Sequence, residues 1–169
     1  MSIRRARPCI ALAAALGLLL ALWVPRPGGE QTAGGGEAAV VTRVVDGDTV
    51  VVRTGGRVER VRYIGVDTPE DVKPGTPVQC YSERAAAENR RLVDRRRVTL
   101  RFDAERRDRY GRLLAYVYRR PNADFVNAEL VRRGYARTLR IPPNDAHAAL
   151  FARLAADARR RHLGLWGAC

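Results

Sequence analysis

Three short segments hold the residue types that chemistry on a phosphodiester requires. They are Asp46-Gly47-Asp48-Thr49, then Arg62-Tyr63-Ile64-Gly65-Val66-Asp67-Thr68-Pro69-Glu70, then Asp108-Arg109-Tyr110-Gly111-Arg112. Each also has an ordinary reading. Asp-Gly is a favoured hairpin turn. Asp67-Thr68-Pro69-Glu70 can open a helix, with Thr or Asp as cap and Pro in the first turn. Arg62 alone is a solvated strand residue, and the third segment alone is a charged turn.

Taken together, the three suit one reaction. A phosphodiester is an anion, and attack by water builds further charge on its phosphoryl oxygens. A hard divalent cation held by carboxylates and a carbonyl neutralises that charge. Asp48 and Asp67 fall at adjacent strand ends of a meander, where they can share such an ion. Arg62 and Arg112 supply two guanidinium forks, which grip phosphate oxygens in pairs where lysine offers a point charge. Glu70 is a nearby carboxylate able to activate water. The set needs no histidine. His147 and His162 fall in or beside the last helix, where they read as ordinary helix-surface residues.

The elements that must position these residues follow from periodicity. Residues 39–45, 49–53 and 58–64 are β-branched or alternate with a period of two, and turn signals separate them. They predict a three-stranded meander. Residues 81–93 read as a helix, and 98–102 and 113–118 as two more strands. A short helix over 126–133 stops at Gly134, and a longer one spans 145–161 after Pro142-Pro143-Asn144. The order predicts an α+β, mainly β fold: a five-stranded barrel of the oligonucleotide-binding (OB) type with about three packed helices.

The chain divides into an N-terminal segment over 1–24, a Gly/Pro-rich linker over 25–37 and one domain over 38–169. Arg4, Arg5 and Arg7 precede an apolar run from Ile10 to Val24 that ends at Pro25. This is the pattern of a secretory signal or of an uncleaved membrane anchor over residues 10–24, and both predict an exported domain. Cys9 lies in that segment. Cys80 and Cys169 remain, and an even count in an oxidising compartment predicts a bridge between them. The composition, 46% hydrophobic and 29% charged, excludes a disordered chain. Net charge is +13, of which the first 36 residues contribute +3. So basic a domain attracts polyanions, nucleic acid above all. Lys73 is the only lysine. Because GC-rich coding also enriches arginine, the charge permits a nucleic-acid partner without assigning one.

From about Ala39 to Trp166 the sequence resembles the staphylococcal nuclease (thermonuclease) family. Val45-Asp46-Gly47-Asp48-Thr49, Val66-Asp67-Thr68-Pro69-Glu70 and Asp108-Arg109-Tyr110-Gly111-Arg112 are similar to its three signature segments, in order. Asn127-Ala128-Glu129-Leu130-Val131 with Gly134, and Leu165-Trp166, match further landmarks. The resemblance implies one Ca²⁺ ion held by the carboxylates of Asp48 and Asp67 and the backbone carbonyl of Thr68, with Asp46 as a supporting carboxylate. It implies that Arg62 and Arg112 clamp the scissile phosphate and that Glu70 acts on the attacking water. It further implies a monomer that cuts DNA and RNA, single strands preferred, leaving 3′-phosphate ends. The competing expectation is a barrel of the same family that binds nucleic acid without cutting; retention of all five charged site residues argues against it. One departure stands out. The family prototype carries two tyrosines, one residue apart, before a Pro-Asn segment, whereas this chain has Leu139, Arg140 and Ile141 before Pro142-Pro143-Asn144. Base stacking contributes roughly 1–3 kcal/mol per base, so nucleotide binding is expected to differ. Tyr110 remains as a candidate contact.

Overall fold

The computed structural model describes residues 35–70 and 79–169. The expected targeting segment and most of the expected linker lie outside the described residues. Twelve elements follow in chain order: β1 (Glu37–Val44), β2 (Thr49–Thr54), β3 (Arg57–Tyr63), β4 (Val66–Asp67), α1 (Ser82–Val93), β5 (Arg97–Arg101), β6 (Leu113–Arg119), β7 (Asp124–Phe125), α2 (Val126–Arg132), β8 (Arg137–Thr138), α3 (Ala148–Arg160) and α4 (Leu165–Ala168). Glu37, placed in the linker by sequence, already belongs to β1, opposite Leu100.

The five long strands form a closed barrel. Their order is β3-β2-β1-β5-β6, and β6 returns to pair with β3. Every ladder is antiparallel except this closing one, which runs parallel and sets Arg62 opposite Leu114. Val41, Val50, Val52, Val61, Val98 and Leu100 point inward and are fully buried, as strand alternation requires. A bulge between Val41 and Arg43 breaks the register of β1. It lets Thr42 and Arg43 both face solvent while Val41 and Val44 stay inside. Sequence alternation alone does not foresee it. Three helices pack on the barrel through Leu92 and Val93 of α1, Leu130 and Val131 of α2 and Phe151 of α3. α4 is a single turn. None of the helices among the described residues is long and apolar enough to cross a membrane.

Two helix starts differ from expectation. Tyr81 has a left-handed backbone, φ 74°, so α1 begins at Ser82. α3 begins at Ala148 rather than 145. The Ala146 amide donates to Asp103 Oδ2, and the Asp145 carboxylate is held by Arg140, so neither group serves a helix start. His147 is not a plain surface residue either: it packs edge-on against Tyr116, with ring centroids 4.5 Å apart.

Cys80 and Cys169 are bridged across 89 residues of chain. In the chain-entropy account, closing a loop of this length stabilises by roughly 4–5 kcal/mol, and measured bridges often contribute less. At the more usual contribution of about 2–4 kcal/mol, reduction, or Cys80→Ser with Cys169→Ser, is expected to lower Tm by about 4–16 °C, at about 2–4 °C per kcal/mol. Thermal melts with and without reductant check this; coincident melts contradict it.

Candidate active site

Asp48 stands between the β1–β2 turn and the first residue of β2. Its carbonyl accepts the Tyr63 amide at 2.9 Å, which ties the start of β2 to the end of β3. Its side chain is 2% exposed. Asp48 Oδ2 accepts the Thr68 amide at 3.0 Å, and Oδ1 accepts the Thr49 hydroxyl at 3.1 Å. Asp46 Oδ1 accepts the Asp48 amide at 3.0 Å. The Asp46 carbonyl is held in turn by Asn89 of α1, whose Oδ1 accepts the Tyr63 hydroxyl. Gly47 has no substitute here, since a Cβ on it would lie 2.6 Å from Thr68 Oγ1. The two acidic segments are therefore interlocked at van der Waals contact.

Arg62 joins them. Its Nη1 donates to Asp48 Oδ1 at 3.0 Å and its Nη2 to Asp67 Oδ1 at 2.9 Å. Asp67, which ends β4 opposite Arg137 of β8, keeps 47% side-chain exposure. Burial pushes the Asp48 carboxyl up to about 6. The Asp46 and Asp67 carboxylates add to this, while Arg62 and the Thr68 amide act against it. Burial also opposes the charge on Arg62, but Asp48 and Asp67 outweigh it and hold that guanidinium above its usual range. Three acids thus share one arginine, which leaves an excess of negative charge suited to a further cation. Among the described residues no three acid, His or Cys side chains form a ready-made cage. An ion there would complete its shell with backbone and water oxygens, as hard cations of six to eight oxygen ligands do. On donor chemistry, the residues fit such an ion.

The third segment is a turn organised by Asp108. Asp108 Oδ1 accepts the amides of Tyr110 and Arg112 at 2.9 and 3.0 Å, and Oδ2 accepts Arg112 Nε at 2.7 Å. Burial would raise the Asp108 carboxyl, but the Arg112 side chain and these two amides hold it below the usual range. Arg112 is aimed through Nε. Its two terminal amino groups make no hydrogen bond among the described residues. Arg62, Tyr110, Arg112, Leu114, Leu139 and Ile141 line one cavity of about 430 Å³. Tyr110 stands at its rim, 68% exposed, with the guanidinium groups of Arg109 and Arg112 at 4.8 and 5.6 Å from its ring. Leu139 and Ile141 wall the cavity where the family prototype carries tyrosines.

Of the residues singled out by sequence, Arg62, Arg112 and Tyr110 meet at the cavity. Asp46, Asp48, Asp67 and Thr68 meet behind Arg62. Glu70 is not among the cavity-lining residues, and its carboxylate has no partner among the described residues. Its backbone is clasped by Gln79, whose Oε1 accepts the Glu70 amide and whose amide donates to the Glu70 carbonyl. Sequence reasoning missed Asp108, Asn89 and Gln79 as positioning residues. Only Asp108 carries a local signal, its opposite-charge spacing of four from Arg112.

The fold and this geometry define a small barrel that presents two arginines and an acidic, cation-seeking cluster to an anionic ligand. The sequence profile described as "Staphylococcal nuclease homologue" matches residues 60–168. The thermonuclease of Staphylococcus intermedius is 43% identical over 131 residues, covering 78% of this chain and 77% of that protein. The thermonuclease of Staphylococcus hyicus is 38% identical over 126 residues, covering 75% and 73%. Endonuclease YncB of Bacillus subtilis (strain 168) is 40% identical over 126 residues, covering 73% and 59%. The chain belongs to the staphylococcal nuclease family.

The raised Asp48 value has a consequence for stability. The folded state binds its proton more tightly than the unfolded chain does, since the carboxyl moves from an ordinary 3.8 up to about 6. Asp48 therefore lowers the stability of the metal-free protein progressively as pH rises through that window. Asp48→Asn is expected to stabilise the metal-free protein at neutral pH by up to roughly 3 kcal/mol, with no gain near pH 4. Denaturant melts of both proteins at the two pH values check this. A loss of stability at neutral pH contradicts it.

Proposed function

We propose that this protein is an exported nuclease that hydrolyses phosphodiester bonds in DNA and RNA with one bound Ca²⁺ ion. The observation that carries the reading is the convergence of Arg62 and Arg112 on one cavity, with the Asp48–Asp67 cluster directly behind Arg62. The relatives named thermonuclease and endonuclease support it. The Cys80–Cys169 bridge suits an oxidising compartment and supports export.

Asp48 and Asp67, with the Thr68 carbonyl, would hold the ion. When bound, it supplies positive charge to the phosphoryl oxygens and to their developing negative charge. Arg62 and Arg112 grip the same phosphate through their terminal N–H groups. Both are fixed before substrate arrives, Arg62 by two carboxylates and Arg112 by Asp108, so little reorganisation is needed as charge builds. Glu70 orients the attacking water and accepts its proton. The new P–O bond forms as the P–O5′ bond breaks. The 5′-oxygen leaves with the electron pair of that bond and takes a proton from solvent water, and the phosphate stays on the 3′ side. Tyr110 borders the bound nucleotide. Cavities of this size take small-molecule ligands, and this one has room for a single nucleotide rather than a base pair, which favours single strands. Nothing in these steps requires a second copy of the chain.

The purified protein is expected to cut single-stranded DNA and RNA with Ca²⁺ and to stop with chelator. Glu70→Ser should lose cutting while keeping its fold. Arg112→Ala should lower kcat about 10²- to 10³-fold, the usual effect of losing one preorganised donor, with little change in Tm because its one ion pair among the described residues, with Asp108, is partly exposed. Arg62→Ala should lower kcat comparably but also destabilise the metal-free protein by about 1–3 kcal/mol, since it strands a buried carboxylate. Failure of the folded, calcium-loaded protein to cut any of these substrates contradicts the reading and leaves a binding barrel in its place.

A further inference from the structure

The outer face of β1–β3 carries cationic side chains that the cavity does not use. Arg60 and Arg62 are two residues apart on β3, so both point outward, about 7 Å apart along the strand. Arg43 of β1 pairs with Val51 of β2, and Val51 pairs with Arg60 of β3. The three form one outward row across the sheet. Arg53 of β2 pairs with Val40 and Val58 and forms the next outward row. Arg43, Arg53 and Arg60 are all exposed, as is Arg57 at the β2–β3 hairpin. The inward residues between them, Val50, Val52 and Val61, are fully buried.

Arg43, Arg53 and Arg60 make no ion pair among the described residues, whereas Arg57 acts on the Glu59 carboxylate at longer range. The acids of the same strands are already held by arginines from outside: Glu37 by Arg106, and Glu59 by both terminal nitrogens of Arg107 at 3.0 and 2.8 Å. The hydrogen bond from Arg107 holds the Glu59 carboxyl below its usual range. The acids of this face are thus taken up, and the guanidinium groups of Arg43, Arg53 and Arg60 are left unpaired among the described residues. Their forks match phosphate oxygens, and the row begins two residues from Arg62. Val40 and Val58, 41% and 65% exposed, flank Arg53 and offer apolar contact to sugars. The outward positions of these rows hold no aromatic or leucine side chain of the kind that inserts into a bilayer interface.

We propose that this face is a second binding track for the polynucleotide strand being cut, engaging phosphates beyond the scissile one through Arg60, Arg43 and Arg53. The proposal rests on the nuclease reading for the identity of the strand. Lacking stacking partners, the track binds the backbone and is indifferent to base. Its effect falls on KM for long strands and leaves the cleavage step alone.

The test uses the full chain, a triple variant R43Q/R53Q/R60Q and a triple variant with lysine at the same positions. Binding of an oligothymidylate of about 20 nucleotides is measured in chelator across a range of salt. Calcium-dependent kcat and KM are then measured on the same strand and on a dinucleotide. In the glutamine variant the slope of log K against log salt should become shallower by about 2, at about 0.7 per lost phosphate contact. KM for the long strand should rise about tenfold or more, while kcat and the dinucleotide KM stay as in the parent. The lysine variant should keep most of the slope. An unchanged slope in a folded glutamine variant overturns the track, whatever the enzyme's activity. A shallower slope in the glutamine variant, with a parent that cuts nothing, supports the track and overturns the nuclease reading. Loss of binding to phosphatidylglycerol vesicles with strand binding intact overturns the track and assigns the face to a membrane.

Discussion

The Arg62 guanidinium lies within 3.0 Å of two carboxylates, one buried and one half-exposed. The rest of the site depends on that contact. A carboxylate as buried as Asp48 is costly to ionise without a counter-charge, and Arg62 is the counter-charge it has. Yet the balance is incomplete: Asp46 and Asp67 still push the Asp48 carboxyl upward against Arg62. The cluster is a place where the fold carries a local electrostatic cost that a bound cation would relieve. Such costs concentrate at functional sites.

Barrel closure and site assembly are one event. The parallel pairing of β3 with β6 sets Arg62 beside Leu114, two residues after Arg112. The Asp108 turn then fixes the direction of Arg112, and the bidentate contact of Arg107 with Glu59 fastens that turn to β3. On the other side, Asn89 carries the same precision from α1 to the Asp46 carbonyl and the Tyr63 hydroxyl. Glu70 is positioned differently. Its backbone is clasped by Gln79, the neighbour of the bridged Cys80, so the disulfide anchors the end of the chain segment that holds it.

What the sequence made legible was local. Asp46 to Thr49, Asp67 to Glu70 and Asp108 to Arg112 each lie within a few residues, and their types state their chemistry. The barrel strands were legible because inward valines alternate with outward polar residues. The bulge after Val41 was not, since it depends on the register with β2. The start of α3 was misplaced because Asp103, more than forty residues away, takes the Ala146 amide. Asn89 and Gln79 carry no local signal for the same reason: their partners, Asp46 and Glu70, are brought to them only by the fold. The burial of Asp48, which sets its proton affinity, is a property of the closed barrel and of no sequence window. The missing tyrosines were legible as a departure, and the structure places Leu139 and Ile141 in the cavity wall, where that departure bears on nucleotide binding.

Asp48 and Asp67 are proposed to form one cation site behind Arg62. The most direct measurement is a calorimetric titration of Ca²⁺ into the metal-free protein and into folded Asp67→Asn. Asp67 is the exposed member of the pair, so its loss disturbs the fold least. A single site is expected in the parent, abolished or severely weakened in Asp67→Asn. Equal calcium binding by both proteins, or none by the parent, would contradict it.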